Sequence, residues 1–116
     1  YLIRSECYIR NNKIAQGLND LDTLLIKRYK SGTFSPLAIS SQSEALNLVL
    51  NERRKEMVLR GMRWMDIKRL NKGGANITLK RVENRTTYSL QPNANFYALP
   101  LPVDIIQITG MQQNEP

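Results

Sequence analysis

Residues 51–70 read Asn51-Glu52-Arg53-Arg54-Lys55-Glu56-Met57-Val58-Leu59-Arg60-Gly61-Met62-Arg63-Trp64-Met65-Asp66-Ile67-Lys68-Arg69-Leu70. The stretch holds the only tryptophan, three of the four methionines and, carried on to Lys72, eight of the seventeen lysines and arginines. Glu56 and Arg60 lie four apart and Asp66 and Arg69 three apart, spacings at which opposite charges meet on a helix surface. Gly61 interrupts the run and marks a bend or junction, because glycine is best tolerated in a helix where the chain turns or packs closely. Beyond it, Met62, Trp64, Met65, Ile67 and Leu70 are apolar on more than one side, which predicts a short helix wedged between other elements. Arg63 and Asp66 then fall near that interior, where charges have to be matched. Trp64 reads as a core anchor among its methionines rather than as a sugar-stacking platform.

Working upstream, Ser41 and Glu44 have the S-x-x-E spacing of a capping box, so a helix is expected to start near Gln42. Its buried face is Ala45, Leu46, Val49, Leu50, Met57 and Val58. Residues 1–30 read as two helices broken at Asn11-Asn12-Lys13. In the second, Ile14, Leu18, Leu21 and Leu25 form one apolar stripe, with Gly17 on it as a point of close helix approach. The pair makes a helical hairpin of tetratricopeptide-like size. The turn-rich segment from Tyr29 to Ser43 is a loop. Downstream, residues 77–91 suggest a short β-hairpin, and Pro92, Pro100 and Pro102 punctuate an extended segment that runs into an extended tail over 96–116, with one helical turn near Val103 to Ile108.

Composition limits the rest. At 116 residues, 41% hydrophobic and 23% charged, the chain is expected to form one globular domain over 1–116, with signature helices over 42–72. Its longest apolar runs fall far short of the ~20 residues that cross a membrane as a helix, and no leader pattern is visible. It opens at Tyr1-Leu2-Ile3-Arg4 already in helical pattern and without Met, which suggests a piece of a longer protein. With no histidine and one cysteine, no zinc spacing or internal disulfide can be assembled. Cys7 is read as a small buried hydrophobe, and no cofactor or metal is expected.

The net charge of +7 is concentrated: from Asn51 to Lys72, eight bases face three acids. No acid–base or nucleophile constellation accompanies them. The conceivable acid–base couples, Glu52 with Glu56 and Asp66 with Arg63, sit on a helix rich in counter-charges, and these residues read as members of structural ion pairs rather than catalytic groups. Tyr88, Phe96 and Tyr97 are the aromatic residues expected to be exposed.

Glu52-Arg53-Arg54-Lys55-Glu56, then Gly61, then Arg63-Trp64-Met65-Asp66-Ile67-Lys68-Arg69 resembles, without a gap, the ERR-x-E … G-x-RW-x-D-L-x-R stretch of the SusD/RagB family. Tyr1-Leu2-Ile3-Arg4-Ser5-Glu6-Cys7 is similar to the family's YL-x-RAEA start of its last helix pair. Phe96 to Pro102, with Gln113-Asn114, resembles its terminal segment. Departures are Arg60 where an acid is common, Ile67 for Leu, Asp104 near the usual Glu, and an end reading Gln112-Gln113-Asn114-Glu115-Pro116 instead of closing on Gly-Tyr.

The resemblance implies a mainly α fold: the C-terminal part of a tetratricopeptide-like SusD-type protein, with a short β-hairpin and an extended tail. It implies a non-catalytic Bacteroidetes receptor for glycan or, in some members, peptide. Such a receptor is lipid-anchored at the outer-membrane surface through an N-terminus outside this chain, over a TonB-dependent transporter of the SusC type. The family's ligand site usually lies elsewhere, so no ligand-binding residue transfers here. Glu52, Arg53, Arg54, Glu56, Gly61, Arg63, Trp64, Asp66 and Arg69 are read as a structural motif. Two other classes compete: a tetratricopeptide-like adaptor binding a peptide, and a basic nucleic-acid module using Arg53, Arg54, Arg60 and Arg63 on phosphates. Nucleic acid is not the expected partner.

Overall fold

The stripe Ile14, Leu18, Leu21, Leu25 is the seam on which the first helices close. In the computed structural model, which describes residues 1–114, the chain forms two compact units, Tyr1–Gly61 and Met62–Pro116. The architecture is mainly α with one two-stranded antiparallel sheet.

In the first unit, α1 (Leu2–Arg10) and α2 (Ile14–Leu25) are joined by a turn in which Asn12 adopts a left-handed conformation. They run antiparallel: Arg4 meets Asp20, and the Ser5 hydroxyl donates to the Gly17 carbonyl at 2.6 Å. A Cβ on Gly17 would stand 2.5 Å from Ile9 Cγ1 and 2.9 Å from the Ser5 carbonyl oxygen, so only glycine permits this approach. α3 (Gln42–Glu56) packs on both. Ile9, Leu21, Ala45 and Val49 are almost wholly buried at the centre, with Leu2, Leu18 and Leu25 beside them.

The start of α3 is where the capping signal puts it. Ser41 Oγ accepts from the Glu44 N–H at 3.4 Å and also lies 2.9 Å from the Ser43 hydroxyl. Gln42 then donates to the carbonyls of Ile9 and Arg10 at 2.8 and 3.2 Å, satisfying the open end of α1. In the incoming loop, Tyr29 and Phe34 stack at 5.4 Å, and Asp22 accepts from the Leu37 N–H.

Two expectations for this unit are corrected. Cys7 is exposed, because the buried row of α1 is Leu2, Ser5, Glu6 and Ile9 and a residue at position 7 points away from it. Val58 is exposed because α3 ends at Glu56; Leu59 and Gly61, both with positive φ, carry the chain out of the helix.

The second unit begins with α4 (Arg63–Lys72). β1 (Leu79–Glu83) and β2 (Thr86–Leu90) pair in register from Leu79↔Leu90 to Glu83↔Thr86. Asn84 and Arg85 form the two-residue loop, both with positive φ as the right-handed strand twist requires. Gln91-Pro92-Asn93-Ala94 is a tight turn: the Ala94 N–H reaches the Gln91 carbonyl at 3.3 Å, with proline second and Asn93 at φ +59° third. A 3-10 turn, Asn95–Tyr97, follows.

The tail over 96–116 carries helix where one turn is expected near Val103 to Ile108, and a longer stretch of it. Past Pro102, α5 (Val103–Thr109) makes two turns and ends where Gly110 turns left-handed. Beyond it, Gln113 and Asn114 reach back to the backbone of Leu101 and Leu99; Glu115 and Pro116 lie outside the described residues.

Replacing Gly17 by Val should destabilise the first unit by about 1–3 kcal/mol, because the added carbons meet backbone as well as the Ile9 side chain. Urea unfolding followed by circular dichroism reads this, and an unchanged midpoint would refute the close-approach account.

Candidate functional site

The signature residues occupy the end of α3, the linking turn and α4. Each of their buried carboxylates has a cation. Glu52, 8% exposed, accepts from Lys55 at 2.5 Å, one helical turn on. Glu56 takes a two-point contact from Arg28 at 2.7 and 3.0 Å, not from Arg60, which lies beyond the helix end. Asp66, also 8% exposed, pairs with Arg69 at 3.5 Å. Arg53 is buried and engaged, whereas Arg54 and Arg63 are exposed. Arg63 thus departs from the expected interior position. It is the first residue of α4, and burial on this face begins one turn later, at Asp66 and Ile67.

These contacts set the protonation of the acids. The Arg28 guanidinium, by hydrogen bonding and then by charge, holds the Glu56 carboxyl below its ordinary range, with partial burial opposing it. The Arg4 guanidinium does the same to Asp20 through two bonds at 2.7 and 2.5 Å.

Trp64 is half-buried, and its ring stacks at 4.9 Å and 37° on Tyr97. Tyr97, expected to be exposed, is buried at 6%; Tyr88 and Phe96 are exposed as expected. Met65 lies at the surface of the described chain, so α4 presents an apolar side chain outward as well as inward.

The residue that sequence reasoning passed over is Asn71. Only 2% exposed, its amide behaves as a peptide group: Oδ1 accepts from the Ile77 N–H at 2.6 Å, and Nδ2 donates to the Ile77 carbonyl at 2.9 Å. Nδ2 also approaches the Tyr97 hydroxyl at 3.5 Å, and Asn93 Nδ2 donates to the Asn71 carbonyl at 3.4 Å. Gln113 repeats the device on Leu101, accepting from its N–H at 2.8 Å and donating to its carbonyl at 3.1 Å. A polar residue on a basic helix gives no sign of this in sequence. The Pro92-Asn93 turn signal was the available clue to the wall beside it.

These elements enclose an open cleft of about 690 Å³ within the second unit. Lys68, Arg69, Asn71 and Lys72 of α4 form one side; Asn93 to Asn95, Tyr97 and Ala98 form the other, with Asn114 at the rim. Among the described residues, no group of three or more histidine, cysteine or acidic side chains is placed to hold a metal, and no helix is long and apolar enough to cross a membrane.

Comparison with known proteins gives a consistent family. The SusD family matches over residues 1–114. SusD-like protein P2 of Formosa agariphila is 34% identical over 98 residues, 77% of this chain but 18% of that protein. The chain thus spans less than a fifth of the length of this curated relative. No solved structure matches it.

Removing the Asn71 amide (Asn71→Ala) leaves two backbone groups of Ile77 unpaired and should cost about 1–3 kcal/mol; hydrogen exchange at the Ile77 amide should accelerate. A second prediction concerns acid. Asp20 and Glu56 have depressed folded pKa values, so their stabilisation is full above the unfolded values of about 3.9 and 4.3 and is lost as pH falls through the folded ones. Thermal midpoints should therefore fall below about pH 4, and the combined Asp20→Asn and Glu56→Gln variant should show a shallower fall. An equally steep fall in that variant would place the acid sensitivity elsewhere.

Proposed function

The chain belongs to the SusD family, and from that membership we propose that it is the C-terminal structural part of a non-catalytic nutrient-binding protein of the cell surface. The observation that carries this reading is the family match itself, which runs through residues of both units. The nutrient is an oligosaccharide or polysaccharide, with peptide as the other class the family admits. The protein is held at the outer membrane by a lipid on an N-terminus outside this chain, and it delivers its ligand to a TonB-dependent transporter of the SusC type.

Within such a protein the signature residues Glu52, Arg53, Arg54, Glu56, Gly61, Arg63, Trp64, Asp66 and Arg69 act as a structural motif. The pairing of Glu52, Glu56 and Asp66 with cations supports a holding rather than a catalytic role, since a general acid or base has to exchange its proton with substrate. The nucleic-acid alternative is weakened in the same region: Arg53 is buried and already engaged, which removes one of the four arginines from reach of a phosphate.

The intact protein should fractionate with the outer membrane, co-purify with a TonB-dependent transporter, and bind an oligosaccharide in calorimetry without releasing shorter products. Cytoplasmic fractionation, or hydrolysis of the bound sugar, would overturn the proposal.

A further inference from the structure

We infer that the cleft between α4 and the Asn93–Ala98 turn is a binding site for an acidic saccharide, one carrying a carboxylate or sulfate ester; the inference rests on the nutrient-binding reading above. Its size lies within the ~300–1,000 Å³ typical of small-molecule sites, at about 690 Å³. Among the described residues, three cationic side chains line it and no acidic one does. Arg69 is occupied by Asp66, but Lys68 and Lys72 make no ion pair or hydrogen bond within the described chain. Standing four apart on α4, they project from the same side of the helix one turn from each other. Two unpaired ammonium groups at that spacing are suited to one divided anionic substituent.

The opposite wall supplies what a sugar ring needs. Among the described residues the Asn95 carboxamide has no partner and Asn93 uses only its Nδ2, leaving its oxygen as an acceptor for a hydroxyl. Ala94 and Ala98 keep the wall low, and Tyr97, backed by Trp64 at 4.9 Å, makes a fixed aromatic floor. The Pro92-Asn93 turn holds both carboxamides at the cleft without requiring a flexible loop. A neutral sugar would desolvate the two lysines and give them no counter-charge, and a cationic ligand would be repelled; the lining thus selects by charge as well as by shape.

The test is isothermal titration of the intact protein at low salt with trigalacturonate, a sulfated carrageenan tetrasaccharide, maltotriose and triglutamate. It is run on wild type and on the Lys68→Gln/Lys72→Gln variant. An acidic saccharide should bind wild type, lose at least tenfold in the variant, weaken as salt is raised, and shield Lys68 and Lys72 from acetylation read by mass spectrometry. The carboxylated and sulfated probes show which anion the lysines take. Because both lysines are exposed and unpartnered, the variant should melt with wild type; if it does not, acetylation shielding on wild type decides. Equal binding by variant and wild type, or absence of shielding, overturns the cleft while leaving nutrient binding intact. Tighter binding of triglutamate than of either acidic sugar assigns the cleft to acidic peptide instead. Binding of none of the four probes overturns the cleft, whereas the nutrient-binding reading falls only if the protein fails to fractionate with the outer membrane and its transporter.

Discussion

Gly17 lacks a side chain where one would collide with the neighbouring helix, and the first unit follows from that gap. Because nothing projects there, Ile9 and the Ser5 backbone come within contact distance, and the Ser5 hydroxyl reaches the Gly17 carbonyl. The same closeness brings Arg4 onto Asp20 and leaves Ile9 and Leu21 almost wholly enclosed. α3 can then lie on both helices, bringing Ala45 and Val49 into the core and Gln42 onto the open end of α1. A bulkier residue would open this seam and, with it, the platform on which the signature segment begins.

The second unit is organised differently. Its buried apolar residues among those described are few, Ile67 and Tyr97, and much of its order comes from carboxamides acting as peptide groups. Asn71 fixes the path into β1, Asn93 closes on Asn71, and Gln113 and Asn114 fasten the tail to Leu99 and Leu101. This explains in physical terms why a Gln-Asn pair near the end of the chain suits the fold: the two amides stand in for a strand that is not there.

Features set by neighbours in sequence were legible before any coordinates. The apolar stripe of α2, the Ser41 start of α3, the break at Gly61 and the hairpin after Ile77 are local patterns, and local sterics and hydrogen bonding fulfil them. Features set by distant partners were not. Glu56 finds Arg28, twenty-eight positions away, in place of Arg60 on its own side of the chain. Tyr97 is buried by stacking on Trp64, and Asn71 by Ile77, and neither contact leaves a period to read. The cleft was illegible for the same reason, since its two walls come from segments more than twenty residues apart. The family signature was legible because it is a spacing, but it said nothing about which of its charges face inward.

The two kinds of fastening also differ in what can undo them. Ion pairs such as Arg4–Asp20 and Arg28–Glu56 depend on solution conditions: acid neutralises one partner and salt weakens the attraction. A carboxamide carries no ionisable proton in the ordinary pH range and offers a donor and an acceptor from the same planar group. The pins at Asn71 and Gln113 therefore keep their strength where the ion pairs lose theirs. That makes the tail and the hairpin entry the parts whose geometry is least at the mercy of the ionic strength and acidity of the medium.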